Sequence, residues 1–275
     1  MGLIFRAFTT WRMAVILLLG FSSGIPLALT GATLQAWMKS EHADLTVIGL
    51  FSLVGLPYAL KFLWAPLMDR YIPPFLGRRL GWILVSQVAL VAGIAGMAFT
   101  SPAALPVATA AIAVLIAFFS ASQDIVVDAY RTDLAEKEDV GPSASLYIAG
   151  YRIALLVSGA LALILADHLP WRAVYLLMAG TMGIGILATL FAPEPQTPGT
   201  PPQSMAEAVT LPFMEYFRRK GAVEILAFIV LYKIDVVIAM AMTTPFLLEI
   251  GFSMTDIGAV TKGFGLVATL MGALT

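Results

Sequence analysis

The sequence contains no cysteine and only two histidines, and charged residues make up just 12% of its 275 residues. The absence of cysteine excludes disulfide bonds, thiolate metal sites and cysteine nucleophiles. His42 and His168 lie in short connections far apart in the sequence, so we expect no histidine-based metal site. Because charge is scarce, its distribution along the connections is more informative than the net charge of -1.

Hydrophobic residues make up 60% of the sequence, and the mean hydropathy is +0.90. No soluble domain of this length could bury so much apolar surface in one core. A membrane-spanning helix needs about 20 mostly apolar residues, and the first stretch is too long for the apolar core of a cleavable signal peptide. We therefore predict an all-α polytopic membrane protein, a bundle of about eight transmembrane helices at 13–37, 45–67, 80–100, 104–130, 143–166, 171–192, 221–249 and 254–275.

The positive charges of the connections are unevenly distributed between the two sides of the predicted bundle. One side has only Lys39 and Arg172. Because cytoplasmic connections carry an excess of lysine and arginine, we expect a cytoplasmic N-terminus and cytoplasmic even-to-odd connections. Those connections contain Arg70, Arg78, Arg79, Arg131, Lys137, Arg218, Arg219 and Lys220.

Residues 193–208 are so rich in proline that neither helix nor strand is expected there. The basic stretch 209–220 either lies at the cytoplasmic interface or simply leads into the seventh span. We expect residues 1–192 to form an N-terminal six-helix half, 193–220 a cytoplasmic linker and 221–275 the start of a second half.

A weak internal repeat supports this division. Residues 45–49 align with 254–258, and each segment opens an apolar helix with Thr46 or Thr255 as a candidate N-cap. This placement matches the parallel six-helix repeats of many transporters. Because the sequence stops at the eighth span, we expect a C-terminally truncated chain with one complete half and the first hairpin of the second.

The connection after the second span contains Asp69 and Arg70, followed by Arg78 and Arg79. Guanidinium groups can pair with carboxylates of neighbouring helices, so these residues are candidates for a cytoplasmic latch. The alternative is that the arginines only follow the charge bias of cytoplasmic connections.

The fourth predicted span contains Asp124, Asp128 and Arg131 on one helical stripe. A charge at the bilayer centre costs roughly 2.5–3.5 kcal/mol on insertion scales, so this stripe should face the protein interior or a water-filled cavity. Asp124 lies about 13 Å from the cytoplasmic end of the helix. Asp128 and Arg131 could form a structural ion pair or gate, or they could contact a substrate directly.

Other polar residues within the spans are further candidates. Arg152 in the fifth span reaches a depth similar to that of Asp124. The two residues could form a static buried ion pair or a functional pair. Lys233 and Asp235 do not share a helix face, so each needs its own partner. The remaining candidates are Gln123 and Lys262 in the cavity and, more weakly because they lie near helix ends, Gln35, Lys61 and Gln87.

Several segments together resemble one family. They are FSSGIPL at 21–27, LPYALKFLWAPLMD at 56–69, SQDIVVDAYR at 122–131, GYR at 150–152 and WRAVY at 171–175. On these segments the chain resembles the AmpG-type muropeptide permeases, which are related to acetyl-CoA transporters, within the major facilitator superfamily. The connection at 65–79 departs from the superfamily's usual loop signature, since Ala65 or Pro66 replaces a glycine and the loop is longer.

The resemblance implies an importer of anhydromuropeptides in the bacterial inner membrane, and we expect it to work as a monomer by alternating access. It implies the proton gradient as the energy source and neither cofactor nor nucleic-acid partner. Asp124 would carry the proton, Arg152 would be its counter-ion, and Lys233 would contact an acidic peptide. Trp37, Tyr147 and Tyr151 could stack on sugar rings or simply pack.

Three alternative functions are consistent with parts of the sequence. The chain could transport another anionic solute such as acyl-CoA, or it could be a nonfunctional fragment. An intramembrane enzyme is disfavoured, because Asp124 and Asp128 on one helix need not share a proton. No nucleophile and base are found together in the sequence, so we expect no catalytic residue.

Overall fold

A computed structural model describes residues 10–134, 139–195, 204–232, 250–251, 264–265 and 268. Within them, six helical segments are long and apolar enough to cross a membrane. We number these spans in chain order: Trp11–Ser40, Thr46–Leu63, Gly77–Met97, Pro106–Leu134, Val140–Ala166 and Trp171–Leu190. They correspond to the first six predicted spans. The two further predicted spans lie mostly outside the described residues, apart from the helix Ala222–Tyr232.

Three of the six spans are interrupted. The first breaks at Gly31 into the helices Trp11–Thr30 and Ala32–Ser40. The second span and the segment after it form the α-helices Leu45–Leu50, Leu56–Leu60 and Ala65–Arg70, separated by 3₁₀ turns at Phe51–Gly55 and Lys61–Leu63. Prolines near the starts of the last two helices favour these breaks, since proline removes a backbone donor and restricts the preceding residue.

The fifth span contains the helices Val140–Leu155 and Ala162–Ala166 with a π-helical segment, Leu156–Leu161, between them. The carbonyl of Ser158 in this segment accepts a 2.7 Å hydrogen bond from Thr33 Oγ1 at the end of the first span. A neighbouring helix therefore satisfies a backbone group at the irregular turn.

The helix Leu45–Leu50 is capped by Asp44, whose carboxylate accepts a 2.7 Å hydrogen bond from the backbone N–H of Thr46. The expectation that Thr46 is the N-cap is therefore wrong. An aspartate side chain can reach the N–H two residues further on and satisfy it. This hydrogen bonding holds the pKa of the Asp44 carboxyl below its usual value.

The first span is the most buried of the six and packs against the fourth, fifth and sixth spans. Its contact with the fifth is close because glycines face backbone on both helices. Cβ atoms on Gly20 and Gly24 would meet the backbone of Tyr147 and Tyr151, and one on Gly150 would meet that of Leu17. Small residues allow such close approach between helices in membranes.

The chain divides into two compact units, Met1–Pro201 and Pro202–Thr275, at a point within the predicted linker. The described part of the second unit contains the helices Met205–Phe217 and Ala222–Tyr232. The expectation of no helix in 193–208 is therefore wrong for its last four residues. Ser204 starts this helix by accepting a 3.0 Å hydrogen bond from the N–H of Glu207.

Candidate functional site

A buried polar network joins the first, third, fourth and sixth spans. Gln123 Nε2 donates to Ser23 Oγ at 3.0 Å and to Ser22 Oγ at 3.3 Å. Gln87 Nε2 approaches Ser22 Oγ at 3.4 Å, and Thr189 Oγ1 donates to Gln87 Oε1 at 2.8 Å. All five side chains are buried. Gln123 therefore lies in an interhelical network in the described structure rather than on an open surface.

Gln87 does not behave as expected for a polar residue near a helix end. It lies at the middle of the helix Gly77–Met97 and is fully buried. Its amide needs partners inside the protein, and it finds them in Ser22 and Thr189. The interpretation that Gln87 reaches the interface is therefore wrong.

We expect Thr189→Val to lower the free energy of unfolding by about 1–2 kcal/mol, because it leaves Oε1 of buried Gln87 without its donor. Thr181→Val is a matched control, because Thr181 Oγ1 donates only to the Met178 carbonyl of its own helix in the described structure. Titrations with sodium dodecyl sulfate measure the free energy of unfolding of both variants. Equal destabilisation by the two variants would contradict the importance of the interhelical bond.

Asp124 lies beside this network on the fourth span. Its Oδ1 atom is buried and accepts no hydrogen bond from the described residues, while the side chains of Ser23 and Tyr147 act on its carboxyl group. Tyr58 of the second span and Tyr151 of the fifth also interact with it electrostatically. The carboxyl group therefore lies among hydroxyls from three neighbouring spans.

Lys61 is the cation that acts most strongly on Asp124, ahead of the repulsion from Asp128. Arg152, the counter-ion expected from its depth, is exposed and forms no ion pair with any described residue. Successive residues point about 100° apart around a helix. Since Gly150 packs on the first span and Tyr151 faces Asp124, Arg152 points away.

Asp128 and Arg131 form an i,i+3 pair, with 3.7 Å between Arg131 Nη2 and Asp128 Oδ1. The Arg131 guanidinium also lies 5.7 Å from the centre of the Tyr147 ring. A cation over an aromatic face is attracted by the ring quadrupole. Arg131 is thus oriented by its own helix and by the fifth span, while the Asp128 side chain remains half-exposed.

The charged cluster at the predicted cytoplasmic end is centred on Arg79. Its Nη1 atom lies 2.8 Å from Asp69 Oδ1, and its Nε atom lies 2.7 Å from Asp133 Oδ2. One guanidinium therefore bridges the segments that follow the second span and end the fourth. Arg78 forms no ion pair within the described part of the chain, and Arg70 lies over the ring of Tyr71.

Glu194 completes this cluster from the segment after the sixth span. Its carboxylate accepts hydrogen bonds from the N–H groups of Arg79 at 3.3 Å and Leu80 at 3.4 Å, at the start of the third span. A carboxylate is favoured at a helix N-terminus. Gly77 lies against the Glu194 side chain, and its φ of +74° favours glycine at this position.

The aromatic residues considered as sugar platforms have different environments. Trp37 is buried, stacks on Trp171 with ring centroids 5.7 Å apart, and donates to Glu41 at 2.8 Å. It therefore packs the predicted external end. Tyr147 and Tyr151 lie 6.2 Å apart beside Asp124. The candidate residues Lys233, Asp235 and Lys262 lie outside the described residues.

A family model described as Major Facilitator Superfamily matches residues 16–275. The chain belongs to the Major Facilitator Superfamily. It is 51% identical over 271 residues to the anhydromuropeptide permease of Escherichia coli K12, covering 98% of this chain and 55% of that protein. The chain therefore spans little more than half the length of this relative.

Two further relatives are more distant. An uncharacterized protein of Haemophilus influenzae is 41% identical, with 96% of this chain and 64% of that protein covered. The Rickettsia felis protein AmpG 4 is 31% identical, with 98% of this chain and 68% of that protein covered. The similarity to Major Facilitator Superfamily proteins thus extends over nearly the whole chain.

For this superfamily member we expect Arg79→Gln to lower the free energy of unfolding by about 3 kcal/mol, because two carboxylates lose their common cation. Asp69→Asn should cost about 1 kcal/mol or less, since the Asp69 side chain is 50% exposed and that of Arg79 only 11%. Detergent titrations of the two variants measure the difference. A larger loss for Asp69→Asn would contradict the central position of Arg79.

Two residues of this superfamily member have more interactions at the site than the sequence predicts. The sequence makes Lys61 only a weak candidate because it lies near a helix end, although the two prolines around it indicate a broken helix. Glu194 lies in the proline-rich segment that the sequence predicts as a cytoplasmic linker. Its position just after an apolar span and its negative charge were the available signals.

Proposed function

We propose that this chain is a proton-coupled importer of anhydromuropeptides. The proposal rests chiefly on one observation, the Asp124 carboxyl with its buried Oδ1 atom among the hydroxyls of three other spans. A carboxyl group within membrane-spanning helices is costly and is typical of proton pathways. The similarity to the E. coli anhydromuropeptide permease supports the solute class.

In this proposal, Asp124 binds and releases the proton, and the proton gradient supplies the energy without a cofactor. The ion pairs of Arg79 hold the cytoplasmic ends of the spans in one conformation. The importer works as a monomer in the bacterial inner membrane, with its N-terminus in the cytoplasm. The arginines at positions 70, 78 and 79 support that orientation through the positive-inside rule.

Uptake of a radiolabelled N-acetylglucosaminyl-anhydromuramyl tripeptide tests the proposal. The chain should be expressed in bacteria that lack their own permease, beside the E. coli permease as a positive control. We expect accumulation that a protonophore abolishes. Uptake by the E. coli permease but not by this chain would contradict the proposal, and inhibition by acyl-CoA instead of muropeptide would indicate a different anionic solute.

A further inference from the structure

Lys61 lies at a break in the second span, where its side chain is directed toward the fourth. It begins the 3₁₀ turn Lys61–Leu63, and residues three apart in such a turn lie on the same side. Three residues later, Trp64 Nε1 donates to Ser122 Oγ at 3.0 Å, and its ring lies 4.8 Å from that of Phe118. The break therefore places Lys61 on the side of the span that faces Asp124.

Lys61 has no direct ion-pair partner among the described carboxylates around Asp124. Asp128 pairs with Arg131, so these two groups balance each other. Lys61 balances Asp124 electrostatically but forms no ion pair within 4.0 Å of any described carboxylate. An ammonium group without a direct partner in a partly buried position can form a charge-assisted hydrogen bond with an incoming anion.

We propose that Lys61 binds a carboxylate of the solute and that this binding causes Asp124 to take up a proton. The solute carboxylate brings one negative charge to the ammonium group, and Asp124 then loses the cation that balanced it. A proton from the external water forms an O–H bond with the carboxyl group of Asp124, so that the net charge of the site is unchanged. This inference rests on the proposed function and adds the group of the solute that is recognised.

The other groups that face Asp124 do not take over this role. Tyr58, Tyr147 and Tyr151 surround it from the second and fifth spans, and tyrosine hydroxyls ionise near pH 10 in water, so they stay neutral at physiological pH. Asp128 on the same helix has Arg131 as its partner. Asp124 is thus the group whose charge responds to the state of Lys61.

Infrared difference spectroscopy on the reconstituted chain measures the protonated fraction of Asp124, with Asp124→Asn used to assign the carboxyl band. At one fixed neutral pH, we expect Lys61→Met to raise the ratio of protonated to ionised Asp124 by about tenfold or more, the effect of losing a nearby opposite charge. Lys61→Arg should restore the original ratio. Lys39→Met, at an exposed lysine of the first span's far end, is the matched control.

Equal ratios in Lys61→Met and Lys39→Met would overturn the inference. A second measurement needs no variant, because the solute itself is changed. Adding the disaccharide tripeptide should increase the protonated fraction of Asp124. The same molecule with its carboxylates converted to carboxamides should leave that fraction unchanged. An unchanged band with the acidic solute would contradict the role of Lys61.

Uptake measured on the same preparations separates this inference from the proposed function. A band that rises with the acidic solute in a chain that does not accumulate it would support the coupling of Lys61 and Asp124 and contradict transport by this chain. Accumulation driven by protons without any change in the Asp124 band would support transport and overturn the inference.

Discussion

Asp124→Asn should reduce proton-driven accumulation of the muropeptide to background while leaving exchange of solute across the membrane. Asparagine resembles the protonated carboxyl group in size and polarity, but it cannot release a proton. The carboxyl group has a buried Oδ1 atom and interacts with Ser23 and Tyr147. Accumulation under an imposed proton gradient and exchange without a gradient are the two measurements.

Asp128→Asn is the matched control for this prediction. Asp128 lies one turn further along the same helix, but its side chain is half-exposed and pairs with Arg131. We expect this variant to retain proton-driven accumulation at a reduced level. If Asp124→Asn leaves both accumulation and its pH dependence unchanged, Asp124 is a structural residue and the proposed proton site is wrong.

Gly150→Ala should prevent the first and fifth spans from packing and should sharply reduce the amount of folded protein. A Cβ atom at this position would meet the carbonyl oxygen of Leu17 and would lie 2.9 Å from the backbone nitrogen of Phe21. Neither backbone atom can move without separating the two helices. Overpacking a well-packed interior typically costs about 1–3 kcal/mol, and an obstructed backbone raises that cost.

Gly159→Ala in the same span and Gly180→Ala in the sixth are the controls. A Cβ atom on Gly159 would make an ordinary 3.9 Å contact with Ala28, and one on Gly180 would meet nothing within 4 Å. Folded protein after detergent extraction, measured by size-exclusion chromatography, should be reduced only for Gly150→Ala. Similar yields for all three variants would show that the close contact between the first and fifth spans is not required.

The positions of the first six spans and the charged cluster near the predicted cytoplasmic end could be predicted from the sequence. Insertion into the membrane depends on the summed hydropathy of one segment. An apolar stretch of sufficient length therefore indicates a span, whichever helices pack beside it. Asp69 and Arg79 were candidates because opposite charges flank one short connection, and the structure places them 2.8 Å apart. Their function as a latch stays a prediction.

The partners of Asp124 could not be predicted in the same way. Counting residues places Arg152 at a depth similar to that of Asp124, but it does not show which way a side chain points around the helix. The packing of Gly150 on the first span turns Arg152 outward, and the broken second span turns Lys61 toward the fourth. Both directions depend on contacts between spans.

The sequence by itself therefore determined the membrane class, the apolar segments and the deep position of Asp124, because each follows from composition and residue spacing along one helix. Only the tertiary structure decided that Lys61 lies on the side of its span that faces the fourth span, whereas Arg152 is exposed. It also decided that Gln87 and Gln123 meet at Ser22, and that Glu194 caps the third span. These pairings depend on how each helix is rotated against its neighbours, and that rotation is determined by the close packing of their side chains and glycines.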